Sequence, residues 1–186
     1  MTKALYFAYG SDMSLRQMQQ RLLEAEIILD ETARSSATLK DWELRFDKSV
    51  PQHPQVGLAA IHPMVGSVVE GVLYEIPAKA MAALDLAEGV ADGHYQRLSL
   101  EVVSAKHGAI TAQVYVPNDL HIHPGLKPTR NHLYRLLAAE KFLSPEYFLK
   151  LKRTESLKVP VDDDGMPHAN PPEPQEKPRF TPPRKK

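Results

Sequence analysis

Tyr6-Phe7-Ala8-Tyr9-Gly10-Ser11 begins like a buried apolar strand and then breaks at a glycine, where a helix is expected to start. A strand that ends in a turn and a helix N-terminus leaves several backbone N–H groups without partners and pointing the same way. Together with the helix dipole, such donors favour an anion. Because glycine after a strand is also common in ordinary turns, the segment predicts either an anion-binding turn or an ordinary core strand with a tight turn.

The rest of the first 157 residues alternates strand and helix signals. Ser14 and Gln17 fit a capping box for a helix over 14–24. Trp42, Leu44 and Phe46 alternate with polar residues, as in a half-buried strand. Further strands are predicted at 57–61, 68–76 (with Gly71 marking a bulge or a close backbone approach), 95–103 and 110–116, and helices at 78–88, 128–139 and 144–153.

Five or six strands, short helices and no regular strand–helix–strand rhythm indicate an α+β fold with a strongly curved or closed sheet. Half of the 16 prolines lie at or after Pro160, in a stretch with almost no large apolar side chains. Such a segment cannot offset its ordering entropy. We therefore expect one folded domain over residues 1–157 and a proline-rich disordered tail over 158–186.

Composition excludes several classes of function. The 186 residues contain no cysteine, so disulfides, thiolate metal sites and thiol nucleophiles are absent. Lys plus Arg and Asp plus Glu number 23 each, which removes a global electrostatic case for binding nucleic acid or an anionic membrane. No signal-peptide pattern or membrane-length apolar run is present, and a cytoplasmic protein is predicted.

Glu88 is the candidate catalytic carboxylate. It ends an apolar helix directly before Gly89, where the helix dipole and Asp85 one turn earlier both disfavour a negative charge. Burial in an apolar pocket would raise its pKa further and suit it to take and return a proton near neutral pH. A solvated glutamate at a helix end is the alternative interpretation of the same position.

Two motifs carry a family resemblance. Tyr6 to Ser11 after an N-terminal strand, and Leu84-Asp85-Leu86-Ala87-Glu88-Gly89-Val90 before Tyr95, resemble the gamma-glutamyl cyclotransferase family. The segments 69–74 and 126–129 resemble the strand before the family's glutamate helix and the family's C-terminal part. The resemblance covers most of residues 4–153 and implies a curved or closed mixed β-barrel with flanking short helices.

The resemblance also implies a reaction. In that family the substrate's own α-amine attacks its γ-carbonyl, giving 5-oxoproline and a free amine or amino acid, with no metal and no organic cofactor. Carried onto this sequence, Glu88 would be the general base and then the general acid. The substrate-binding residues would be the backbone of Tyr6, Phe7, Ala8, Tyr9, Gly10 and Ser11, with Tyr115 and His132 in the cavity wall. The implied partner is a small γ-glutamyl compound, and the sequence carries no signal for an oligomeric state.

Two positions depart from the family pattern. Asp12 stands where the family usually has asparagine, and its carboxylate is expected to cap the following helix or, if it faces the pocket, to repel the substrate's carboxylate. His132 stands where relatives often carry a cavity tyrosine, and an imidazole there is still able to donate a hydrogen bond.

Other functional interpretations remain beside the enzyme. One is a binding module that keeps the pocket without turnover, and the other is an interaction protein that functions through its proline-rich tail. His94, His107, His121, His123 and His132 lack the carboxylate spacing of a metal site, and we expect no metal.

Overall fold

The computed structural model describes residues 2–158, in which five strands form one closed barrel. The strands are β1 (Lys3–Ala8), β2 (Arg34–Val50), β3 (His53–Pro77), β4 (Tyr95–Ser104) and β5 (Gly108–Pro117). Their order around the barrel is β1-β3-β2-β4-β5, and a parallel pairing of Tyr6 with Gln113 joins β5 to β1. The predicted α+β class and the closed, mixed sheet are confirmed.

Helices flank the barrel, and the first and the last of them begin where the capping signals predict. They are α1 (Leu15–Leu23), α2 (Ala80–Ala87), α3 (Arg130–Leu137) and α4 (Pro145–Lys152). The Ser14 hydroxyl accepts the Gln17 amide at 3.5 Å at the start of α1, and Ser144 accepts the Tyr147 amide at 3.2 Å at the start of α4. Short 3₁₀ turns at Ser11–Met13, Asp119–His121 and Glu140–Phe142 complete the described helical structure.

The prediction of separate strands at 57–61 and 68–76 is wrong, because β3 is one strand of 25 residues. It pairs with the 17-residue β2 from Arg34 opposite Tyr74 to Val50 opposite His53, forming a long hairpin that we call the arm. β3 contains Pro63 and Gly66 near its middle. The strands accommodate them by a register shift beside Asp41, whose carboxylate accepts the Gly66 amide at 2.8 Å. Cross-strand pairing thus outweighs local breaker signals.

Gly71 allows β1 to lie close against β3. A Cβ atom at this position would lie 2.3 Å from the Ala8 carbonyl oxygen and 2.9 Å from the Phe7 ring. This confirms the close backbone approach predicted for the glycine inside the strand. The contact fixes the end of β1, and therefore the turn that follows it, against the barrel wall.

The core fills the barrel and the space under the helices. Its largest fully buried side chains include Phe7, Met18, Leu39, Tyr74 and Leu84. No helix within residues 2–158 has the length and hydropathy to cross a bilayer. The predicted tail lies, apart from residue 158, outside the described residues.

Candidate functional site

A cavity of about 360 Å³ opens where the β1 turn, α1, the end of α2 and the arm meet. Seven of the residues predicted for the site line it, namely Tyr6, Tyr9, Gly10, Ser11, Glu88, Tyr115 and His132. Phe7 and Ala8 do not line it: both are buried in the barrel core, with exposures of 0% and 1%. The prediction that their backbone belongs to the binding turn therefore has no support from their position.

The turn after β1, whose residues Gly10 to Asp12 line this cavity, contains unpaired backbone donors. Met13 and Ser14 donate to the carbonyl oxygens of Gly10 and Ser11 at 3.0 and 3.1 Å, which closes the 3₁₀ turn. The amides of Gly10, Ser11 and Asp12 have no acceptor among residues 2–158. Consecutive free N–H groups of this kind form a nest that suits a carboxylate or an oxyanion.

Glu88 reaches the cavity because α2 ends at it. Its amide donates to the Leu84 carbonyl at 2.9 Å, and Gly89 follows with φ of +62°. The Gly89 and Val90 amides then bond back to the carbonyl oxygens of Leu86 and Asp85, a Schellman end. The Glu88 side chain is 12% exposed, so the alternative of a solvated glutamate does not hold.

The pKa of Glu88 is raised to about 6, chiefly by burial; the Arg21 guanidinium opposes this shift and the charge of Asp12 adds to it. Arg21 forms a hydrogen-bonded ion pair with the Glu88 carboxylate. The prediction that Asp85 disfavours ionisation of Glu88 is not supported, because the Asp85 carboxylate accepts hydrogen bonds from the Tyr115 hydroxyl at 2.7 Å and from Arg97 at 2.8 Å. The result is a carboxyl group that changes protonation state close to neutral pH.

Asp12 does not cap a helix, contrary to the first of the two roles predicted for it. Ser14 is the N-cap of α1, whereas the Asp12 carboxylate is buried and accepts the Tyr6 hydroxyl at 3.0 Å. The Arg21 Nε atom lies 2.8 Å from Asp12 Oδ1 without the alignment of a hydrogen bond. Arg21 therefore bridges two carboxylates, and its charge offsets the repulsion that Asp12 alone would exert on an anionic substrate.

Tyrosine side chains form the cavity wall around Asp12, Arg21 and Glu88. The Tyr9 hydroxyl donates to the Tyr115 carbonyl at 2.6 Å, and the Tyr6 and Tyr115 rings meet edge to face at 5.6 Å. Burial raises the pKa of Tyr6 and Tyr9 well above the ordinary value, so both remain protonated donors. These contacts tie β1 to β5 beside the turn.

His132 is part of the cavity wall but does not offer its Nε2 as a donor. That atom accepts the Ala59 amide at 3.0 Å. Burial lowers the pKa of His132 to about 3, so the ring is neutral. The hydrogen bond predicted from this imidazole to a substrate is therefore not available at Nε2, which instead fixes α3 against β3.

The cavity residues that sequence reasoning did not assign to the site include Arg21, Lys48, His94 and Tyr95. Arg21 had a readable signal, because it follows Met18 by three residues and therefore shares the apolar face of α1. Lys48 had none, since the strand pattern around it is that of a half-exposed strand. Within residues 2–158 no group of three or more metal-ligating side chains is found.

Comparison with known proteins gives a family match over part of the chain. Residues 68–151, which include Glu88, match the AIG2-like family. No curated protein sequence matches the chain.

Solved structures match over nearly the whole described region. One called gamma-glutamyl cyclotransferase is 24% identical, with a TM-score of 0.71 over 88% of this chain and 95% of the other. An uncharacterised protein from Homo sapiens is 24% identical, with a TM-score of 0.72 over 87% and 94%. YkqA from Bacillus subtilis is 26% identical, with a TM-score of 0.69 over 82% of this chain and 54% of the other. The predicted resemblance is confirmed at the level of the fold, which is gamma-glutamyl cyclotransferase-like.

Proposed function

We propose that this chain, with its gamma-glutamyl cyclotransferase-like fold, catalyses the intramolecular aminolysis of a small γ-glutamyl compound to 5-oxoproline and a free amine or amino acid. The observation that carries the proposal is the shared cavity: a buried carboxyl at Glu88 with a pKa of about 6 faces the same space as the free amides of Gly10 to Asp12. A proton carrier and an anion nest side by side are what this ring closure requires.

The nest is assigned to the glutamyl head. Its α-carboxylate would accept the Gly10, Ser11 and Asp12 amides, and the same turn would stabilise charge on the γ-carbonyl oxygen as it develops. Holding both ends of a flexible γ-glutamyl chain in an attacking geometry contributes several kcal/mol, roughly 7 at the lower end of well-oriented cases. The tyrosine wall formed by Tyr9 and Tyr115 keeps that turn rigid.

Glu88 is assigned both proton transfers. Its carboxylate removes a proton from the substrate's α-ammonium, and the freed nitrogen lone pair attacks the γ-carbonyl carbon to give a tetrahedral oxyanion. Glu88 then gives this proton to the departing nitrogen as the original amide C–N bond breaks and the carbonyl re-forms. The second proton of the ring nitrogen passes through the same carboxylate to the released amine, which leaves as an ammonium, so Glu88 ends ionised. Acid–base catalysis of this kind contributes about 10²- to 10⁴-fold. No metal or organic cofactor is assigned to the reaction.

The test is a panel of γ-glutamyl amino acids and amines, assayed by mass spectrometry for 5-oxoproline. Glu88→Gln is expected to lower product release to below a few per cent of the wild-type rate while binding and fold persist. Glu101→Gln, which changes an exposed carboxylate on β4, is the matched control and keeps the wild-type rate. Release by Glu88→Gln at more than a few per cent would contradict the assigned role.

The two other hypotheses give different outcomes in the same panel. A binding module would bind the compounds without releasing product. An interaction protein that works through its tail would lose its function when residues 160–186 are deleted. We assign the function to residues 1–157 as a cytoplasmic enzyme, so that deletion is expected to leave product release unchanged.

A further inference from the structure

Lys48 places a buried ammonium group in the cavity wall, near the tip of the arm. The residue is 3% exposed, and its Nζ donates to the Ser49 carbonyl at 2.8 Å and lies 5.4 Å from the centre of the Tyr95 ring. Lys48 forms no ion pair with any carboxylate among residues 2–158. An ammonium has three N–H donors, so the Ser49 contact leaves donors unused on a residue that lines the cavity.

A register shift in the arm turns Lys48 inward. Arg45 pairs with Ala60 and Lys48 with Leu58, so β2 has one residue more than β3 over this interval. Asp47 and Lys48 are consequently both buried, although neighbours in a regular strand face opposite sides. The Asp47 carboxylate pairs with His62 at 2.9 Å and does not neutralise the lysine.

His94 also lines the cavity. Its Nδ1 atom is buried and has no hydrogen-bond partner among the described residues. The neighbouring walls are apolar, with Val50, Leu58 and Leu86 among the lining residues. A buried cation without a carboxylate partner beside apolar walls suits a ligand with an anionic group on a short carbon skeleton.

We propose that Lys48 binds the carboxylate of the leaving group, which makes the substrate class γ-glutamyl amino acids and not γ-glutamyl amines. The inference rests on the function proposed above. The Gly10 to Asp12 nest is assigned to the glutamyl head beside Glu88. Lys48 lines the same cavity from another element, the arm, close enough for its charge to act on Glu88, and we assign it to the part of the substrate beyond the scissile amide.

The test compares two compounds that differ only by the carboxylate in question: γ-glutamyl-alanine and γ-glutamyl-ethylamine. The wild-type chain is expected to release 5-oxoproline from the first with a kcat/KM roughly 10- to 100-fold higher, the range for one hydrogen bond to a charged group. Calorimetry with both compounds measures the same preference in binding. Equal turnover and equal binding would overturn the inference while leaving the proposed function intact.

Three variants identify the residue responsible. Lys48→Met is expected to bring the ratio of the two kcat/KM values close to one, and Lys48→Arg to preserve most of the preference. Lys40→Met, an exposed lysine on the same strand, is the matched control and keeps the wild-type ratio. A parallel fall for both compounds in Lys48→Met would assign the lysine to Glu88 or to the glutamyl head, and would overturn the inference.

Failure of the proposed function is a separate result. If the wild-type chain releases product from neither compound, the cyclotransferase proposal fails, and the calorimetric preference still decides the carboxylate site. Tighter binding of γ-glutamyl-alanine that is lost in Lys48→Met supports the site under either outcome, and equal binding rejects it.

Discussion

Arg21 of α1 and Glu88 at the end of α2 form a hydrogen-bonded ion pair although 67 residues separate them in the chain. Arg21 also contacts Asp12 through its Nε atom. Burial is the largest cause that raises the pKa of Glu88; Arg21 lowers it and Asp12 raises it, so these two charges adjust how basic the proposed catalytic carboxylate is. A buried glutamate without the arginine would hold its proton to higher pH.

The first prediction is a pH–rate profile. Because Glu88 must be ionised to act as a base, kcat/KM is expected to fall below pH 6, about tenfold per pH unit. The measurement is 5-oxoproline release between pH 4.5 and 8. An acidic limb near the ordinary pKa of glutamate would contradict a buried base.

The second prediction concerns stability. The pKa of Glu88 is about 6 in the folded chain against 4.5 ordinarily, so the folded state binds more protons between these values. The contribution of Glu88 to the free energy of unfolding is fully present below pH 4.5, and about 2 kcal/mol of it is lost as the pH rises past 6. Denaturant unfolding of the wild type and of Glu88→Gln should show that difference, with the variant gaining relative stability at higher pH. A pH-independent difference would show that the carboxyl is not desolvated.

The third prediction is that Arg21→Lys moves the acidic limb to higher pH. Lysine keeps the charge but loses the planar fork that contacts both carboxylates, so Glu88 is expected to hold its proton more strongly. The wild-type rate should return at a pH above the shifted limb. Arg16→Lys, an exposed position on the same helix, should leave the profile unchanged. A uniform loss at every pH, without a shift, would indicate a structural role only.

The fourth prediction is that Asp12→Asn moves the limb the other way. Removing the charge takes away a cause of the raised pKa of Glu88, while the amide oxygen still accepts the Tyr6 hydroxyl. Product release is expected to persist, with the limb at lower pH. An unchanged limb would show that Asp12 is electrostatically decoupled from Glu88.

Local signals in the sequence predicted much of the fold. The helix starts at Ser14 and Ser144 and the helix end at Gly89 each depend on a few neighbouring residues, and all three are in place. The continuous β3 was missed because its breaker residues are accommodated by pairing with β2, which no local pattern reveals.

The candidate site also contains residues that local sequence signals predict and residues that only the folded structure brings together. Glu88 and the turn at Gly10 carry signals of their own, whereas the Arg21 bridge exists only once the barrel brings α1 and α2 together. Asp12 was misassigned for the same reason: its partners Tyr6 and Arg21 are spatial neighbours, and a capping role was the nearest local explanation. Lys48 depends on a register shift that strand periodicity does not predict.

The last prediction tests how the turn is held. Gly71→Ala would place a methyl group 2.3 Å from the Ala8 carbonyl oxygen, so β1 must move away from β3. The expected cost is about 2 kcal/mol or more, typical of forced overpacking. Gly66→Ala is the comparison: a Cβ there meets nothing within 4 Å, and only the positive φ of +84° costs about 1 kcal/mol. Because β1 leads directly into the Gly10 turn, Gly71→Ala should also weaken substrate binding, which Gly66→Ala should not. Equal unfolding free energies for the two variants would show that β1 is not pinned at this contact.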